Sequence, residues 1–209
     1  MAEAVHEDPF QHFTDTLKKS VAAFREAHVP ALLGGSLAIW ARGGPETKHD
    51  LDFMVKPQDA DRALQALVDV GMKPEKPPEG WLYKAWDGHV LVDVIFQPRG
   101  LEMTDEVFAR GDTREVLAIS VNLMALEDVF ATKLMSLDEH NADYSSVLLM
   151  ARSLGEQIDW DHLRERTGDY PFARAFFVLA EGLGVAPPAG ERREPHATGG
   201  RAAVRVVEP

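Results

Sequence analysis

The chain has no cysteine, which removes disulfides and thiolate metal sites from consideration and fits a reducing compartment. Nor is there an apolar run near the ~20 residues needed to cross a bilayer. The first residues, "MAEAVHEDPFQHF", are acidic and lack the basic-then-apolar layout of a signal peptide. These absences predict a cytoplasmic protein with no membrane partner. Basic charge is also scarce: 22 Lys and Arg stand against 34 Asp and Glu, a net charge of −12. That argues against extended nucleic-acid binding, which needs a basic face. A local tRNA contact built from distant Lys and Arg stays open, and so does a nucleotide, because a metal ion can bridge acidic protein and anionic phosphate.

What is present suits a globular fold. The 209 residues are 45% apolar and 27% charged, enough for one domain with a core or a small domain with a helical extension. Residues 1–27 are read as an N-terminal helix, with Phe10, Phe13, Leu17, Val21 and Phe24 at helical steps. Residues 28–120 read as an α/β core. "VPALL" is a strand ending at Gly34-Gly35, "SLAIWAR" a helix, "GGPETKH" a loop and "DLDFMV" a strand. Pro57 opens a helix that Gly71 closes, and "KPEKPPEG" is a proline-rich loop. "WLYKAW" and "HVLVDVIF" form a hairpin around Asp87-Gly88, and "TREVLAISV" is one further strand. Residues 121–184 read as helical throughout, and 185–209, rich in Pro, Gly and Arg, as a disordered tail.

Three features of the core carry chemistry. Gly34, Gly35 and Ser36 lie at a strand-to-helix junction, where bare backbone N–H groups can cradle a phosphate. A dinucleotide fingerprint would need a third glycine, which "GGSLA" lacks. Asp50 and Asp52 alternate with Leu51, Phe53 and Val55, so both carboxylates share one face of a strand. Asp93 sits alone among Val90, Leu91, Val92, Val94, Ile95 and Phe96, where a buried carboxylate is costly without a cation or donor. Three such acids can share Mg²⁺, which prefers oxygen ligands. Ions held this way serve in-line phosphoryl or nucleotidyl transfer.

The succession "LLGGSLAIWA", "HDLDFMV", "LVDVIF" resembles the nucleotidyltransferase superfamily with the DNA polymerase β-like fold. It is most similar to small bacterial members related to antibiotic nucleotidyltransferases and abortive-infection-type toxins. The resemblance covers about residues 28–150 and extends weakly to 184. It implies an α+β fold, a mixed β-sheet with flanking helices followed by a C-terminal helical region. It also implies a metal-dependent enzyme that moves a nucleoside monophosphate from a nucleoside triphosphate, such as ATP, to a hydroxyl and releases pyrophosphate. On that resemblance, Gly34, Gly35 and Ser36 hold phosphates, Asp50 and Asp52 ligate Mg²⁺, and Asp93 ligates a second Mg²⁺ or serves as general base. Lys133 reaches the triphosphate, and Asp143 follows in the next helix. Many relatives place an arginine or histidine in the loop where this chain has Glu46, Lys48 and His49, so the acceptor (a small molecule, RNA or a protein hydroxyl) does not carry over.

Simpler readings accompany each feature. Ser36 also suits a helix N-cap, Lys133 a solvated helix face and Asp143 a helix cap. Trp81 and Tyr83 suit either core packing or a base or acceptor pocket. At the level of function, the alternative is a non-catalytic nucleotide-binding or toxin–antitoxin-type module on the same fold. His49-Asp50 as a phosphohydrolase "HD" pair fits poorly, because that pair belongs in a helical bundle with further histidines.

Overall fold

A computed structural model describes residues 9–46 and 50–190. His49 and Lys48, and the tail from 191 onward, lie outside the described residues.

Seven strands form one mixed sheet in the order β3-β4-β5-β2-β1-β7-β6. The strands are β1 (Ala31–Leu33), β2 (Asp50–Val55), β3 (Lys73–Glu75), β4 (Leu82–Asp87), β5 (Val90–Ile95), β6 (Asp112–Val116) and β7 (Ile119–Leu123). The central pair β2/β5 is parallel, as is β1/β7, and the remaining neighbours are antiparallel. The helices are α1 (Pro9–Glu26), α2 (Gly35–Trp40), α3 (Ala60–Asp69), α4 (Asp105–Arg110), α5 (Leu126–Met135), α6 (Tyr144–Leu154), α7 (Trp160–Thr167) and α8 (Pro171–Gly182). This is the mixed sheet with flanking helices and C-terminal helical region that the motifs implied.

The two faces of the sheet have different covers, and strand parity decides which residues meet each. Leu33, Leu51, Phe53, Val55, Val92 and Val94 pack with Leu17, Val21 and Phe24 of α1 and with Ala60, Ala63, Leu64 and Leu67 of α3. On the other face, Leu32, Met54, Leu82 and Ile95 join α2, α5 and the later helices in a second cluster. Register places Leu82, Ile95, Met54 and Leu32 side by side in one row across β4, β5, β2 and β1. That row is the apolar floor under the helical layer.

Four local features depart from the sequence expectations. "KPEKPPEG" is not wholly loop, because Lys73–Glu75 forms β3. Pro74 is tolerated there because β3 is an edge strand, where one missing N–H costs no ladder bond. Pro57 opens a single 3-10 turn (Pro57–Asp59) before α3 begins. "TREVLAISV" is two strands, β6 and β7, joined through Leu117 and Ala118 at φ 51° and 60°. A turn with two left-handed residues is normally announced by Asn or Gly, and neither is present. Helix α4 follows Thr104, whose side chain makes no capping bond, in a stretch where the sequence announces no element. Beyond α8, Val185 and Ala186 are buried, with the Val185 N–H donating to the Ala180 carbonyl at 2.8 Å.

One buried ion cluster ties the helical layer together. Asp128, on the first turn of α5, is fully buried and accepts from Arg110 of α4 at 2.8 Å and from Arg166 of α7 at 2.8 Å. A carboxylate so placed needs both partners, since an unpaired buried charge is expensive.

Candidate active site

The acids emerge where the apolar floor stops. One residue pair beyond the Leu82–Ile95–Met54 row, the register aligns Glu75, Lys84, Asp93 and Asp52 across β3, β4, β5 and β2. The next row on the same face is Lys73, Trp86, Leu91 and Asp50. Asp50, Asp52 and Asp93 therefore face the same side, and Asp52 and Asp93 are direct neighbours on adjacent parallel strands. The sequence pattern alone put Asp50 and Asp52 together; the β2/β5 register adds Asp93.

Asp50 and Asp52 are half-buried, while Asp93 is buried. Asp52 feels its surroundings most. Burial first, then the negative charges of Asp93 and Asp50, push its carboxyl from 3.8 up to about 6, against the opposing pull of Lys133 and Lys84. Asp93 is also pushed up, chiefly by burial, with Lys84 resisting. Lys84 donates to Oδ1 of Asp93 at 3.2 Å. Lys133, near the end of α5, is within electrostatic reach of Asp52, whose carboxyl it pulls down.

The glycine junction abuts this cluster. The Gly34 N–H donates to the Asp52 carbonyl at 2.8 Å, continuing the β1/β2 ladder, so that donor is already engaged. Gly34, not Ser36, is the N-cap of α2. Gly35 has φ +58°, and a Cβ there would fall 1.7 Å from Oδ2 of Asp52. Both the backbone conformation and the close approach demand glycine at 35. Gly35→Ala should therefore lower stability by about 2–4 kcal/mol, from left-handed strain plus the clash. Wild-type stability in denaturant titration would refute the close approach.

Other sequence candidates lie apart. Asp143 caps α6, accepting from the Ser145 N–H at 2.9 Å. Tyr83 is on the opposite face of β4 from Lys84, where its ring meets Phe96 at 4.8 Å between centroids. Trp81 is 40% exposed. His89 lies in the β4/β5 turn and stacks on His12 at 4.9 Å.

Lys84 was missed because the hairpin turn lies one residue further on than the Asp87-Gly88 step expected from the sequence. A turn at Asp87-Gly88 would pair residue 84 with 91, whereas the observed turn at Gly88-His89 pairs 84 with 93. Glu75 was missed with β3; it accepts from the Trp86 indole at 3.0 Å and faces the same side as the acids.

The donor set suits a hard divalent cation. Oxygen ligands predominate, burial and then the charge of Asp93 push the Asp52 carboxyl up to about 6, and no side chain stands over Asp52 at Gly35. The carboxylates are not drawn into a closed cage: among the described residues no three His, Cys, Asp or Glu are gathered to hold a metal ion by themselves. Further oxygens would have to come from phosphate or water, as is usual for Mg²⁺. No described helix is long and apolar enough to cross a membrane.

No protein-family model matches the chain, and no curated protein does. Among solved structures, the fold is similar to the solution structure of the antibiotic-resistance factor ANT(2'')-Ia, at 18% identity and a TM-score of 0.54, over 82% of this chain and 96% of that one. It is similar also to the crystal structure of ANT(2'')-Ia in complex with adenylyl-2''-tobramycin, at 19% identity and a TM-score of 0.51, over 79% and 97%. The chain thus shares the fold of ANT(2'')-Ia.

Proposed function

We propose that the chain is a Mg²⁺-dependent nucleotidyltransferase, which transfers a nucleoside monophosphate from a nucleoside triphosphate to a hydroxyl. The observation that carries this reading is the alignment of Asp52 beside Asp93, with Asp50 on the same face and Gly35 pressed against the Asp52 carboxylate. The likeness of fold to ANT(2'')-Ia supports it. The adenylyl-2''-tobramycin held in one structure of ANT(2'')-Ia makes a small hydroxylated acceptor and ATP the first pair to try. An acidic cleft also concentrates cationic acceptors.

Asp50 and Asp52 would hold Mg²⁺, which when bound supplies charge neutralisation between carboxylates and phosphate oxygens. The chain's own groups would do the rest. Gly35 and Ser36, in the first turn of α2, offer backbone N–H groups with no intrahelical partner to the phosphates. The role of Gly34 would be clearance, since its N–H is taken. Lys133 would pair with a phosphate oxygen. Asp93 would accept the proton of the acceptor hydroxyl. That oxygen forms a bond to the α-phosphorus, the bond from the α-phosphorus to the bridging oxygen breaks, and pyrophosphate departs with the electron pair.

Labelled triphosphates, incubated with Mg²⁺ and panels of hydroxylated amines, nucleosides and RNA, test the reading through labelled product and pyrophosphate release. Asp93→Asn should bind triphosphate within about threefold of wild type yet lose at least about 100-fold in transfer, the scale of a lost general base. Undiminished transfer by that variant would remove Asp93 from the chemistry.

A further inference from the structure

Within the reading above, we infer that Lys84 takes the place of a second divalent ion at Asp93, so that the site holds one metal ion and keeps Asp93 as a base.

Lys84 is on β4, directly across from Asp93 in the antiparallel register. Its ammonium lies 3.2 Å from Oδ1 of Asp93, with side-chain exposures of 26% for the lysine and 13% for the aspartate. The pair is therefore largely withdrawn from water, where charges screen each other less and hold their geometry better. Long flexible lysines ordinarily snorkel to solvent. This one is fixed on the acid face by strand parity, between Leu82 in the floor and Trp86 above.

The three acids are consequently not equivalent. Asp52 has no hydrogen-bonded cation among the described residues, and it lies directly beside Asp93 with Asp50 on the same face. Asp93 has its countercharge built into the next strand. A divalent ion approaching Asp52 and Asp50 relieves repulsion. One approaching Asp93 has to meet or displace an ammonium already there, and like charges at that range oppose each other strongly. The absence of a ready-made group of three acidic ligands among the described residues agrees with this division. Lys84 donates to Oδ1 alone, which leaves Oδ2 for the proton of an acceptor hydroxyl. Lys84 is thus a positioning residue: it acts through Asp93.

The test counts ions rather than turnover. The full-length protein, saturated with α,β-methylene-ATP, is titrated with Mn²⁺, and bound ions are counted by electron paramagnetic resonance. Wild type should bind one Mn²⁺ per chain with an uncoupled signal. Lys84→Met, similar in shape but neutral, should bind two, with the exchange coupling of ions about 3.5–4 Å apart. Lys84→Arg, which retains the charge, should return to one. Two coupled ions in wild type would overturn the inference and leave nucleotidyl transfer standing. One ion in both wild type and Lys84→Met would show that the lysine is not what excludes the second. No bound ion in any form would overturn the function itself. Circular dichroism of each variant verifies that the fold is intact.

Discussion

Asp52→Asn should fold more stably than wild type in the presence of a chelator, and should lose nearly all transfer. The two effects share one cause. In the unfolded chain the Asp52 carboxyl titrates at its ordinary 3.8, and in the fold at about 6. Between those values the folded state keeps a proton that the unfolded state releases, so stability falls as pH rises through the interval. Above about pH 6 the whole penalty is present, roughly 3 kcal/mol for a rise of that size. An amide carries no charge to bury beside Asp93 and Asp50, so the variant should gain about 2–3 kcal/mol at pH 7.5 and nearly nothing at pH 4. Urea titration at the two pH values measures this. The catalytic loss should reach about 10³-fold or more, the scale on which electrostatic stabilisation of a transition state operates. The stabilising effect of added Mg²⁺ on wild type should vanish in the variant. If Asp52→Asn is no more stable than wild type at pH 7.5, the crowding of negative charge at this site is not real.

Asp128→Asn should have the opposite profile, a large loss of stability with no direct effect on chemistry. Asp128 is fully buried between Arg110 and Arg166, and the two guanidiniums retain 35% and 26% of their side-chain exposure. Removing the charge leaves two cations facing each other across a neutral amide, which accepts fewer bonds than a carboxylate. Losing one partner of a buried ion pair costs about 3–5 kcal/mol. Partial exposure lets the arginines recover some hydration, which puts the expectation near 3 kcal/mol, measured by urea titration at neutral pH. Because the cluster joins α4 and α7 to α5, the loss should appear first as amide exchange in those helices. A change under about 1 kcal/mol would mean that the apolar contacts of Val129, Phe130 and Leu163 hold this layer without help.

Lys133 links the two predictions. It rides on α5, the helix that the Asp128 cluster seats, and it is a cation that lowers the Asp52 carboxyl. Weakening the seat in Asp128→Asn should therefore also reduce Mg²⁺-dependent turnover at temperatures where α5 begins to fray, an indirect effect that lower temperature reverses.

Local chemistry made much of this protein legible before any coordinates. The alternation of Asp50, Leu51, Asp52 and Phe53 requires a strand with both acids on one face, because side-chain direction in a strand has a period of two. The lone carboxylate at 93 could be recognised as costly from its neighbours alone. The helical half was evident, and so was the existence of the β4/β5 hairpin, although its turn falls at Gly88-His89, one residue beyond the Asp-Gly step. Features whose signals are not local stayed hidden. Leu117 and Ala118 adopt a left-handed turn that their residue types oppose, and the pairing of β6 with β7, itself anchored on β1, overrides the preference. β3 was masked by a proline that only an edge position tolerates. Asp128 looked like an ordinary first-turn acid, and nothing in its own segment announces Arg110 and Arg166.

What the amino-acid order settled by itself, then, is an inventory: an acid pair on one strand, an isolated acid on another, a glycine junction and a helical half. Which of these meet was decided only by the parallel pairing of β2 with β5, a contact between segments some 40 residues apart that no periodicity encodes. Two other pairings complete the site: the β4/β5 hairpin sets Lys84 beside Asp93, and the antiparallel β1/β2 pairing brings Gly35 against Asp52. The physical reason is that periodicity specifies which way a side chain points, whereas the identity of its neighbour depends on how distant strands bury their apolar faces together.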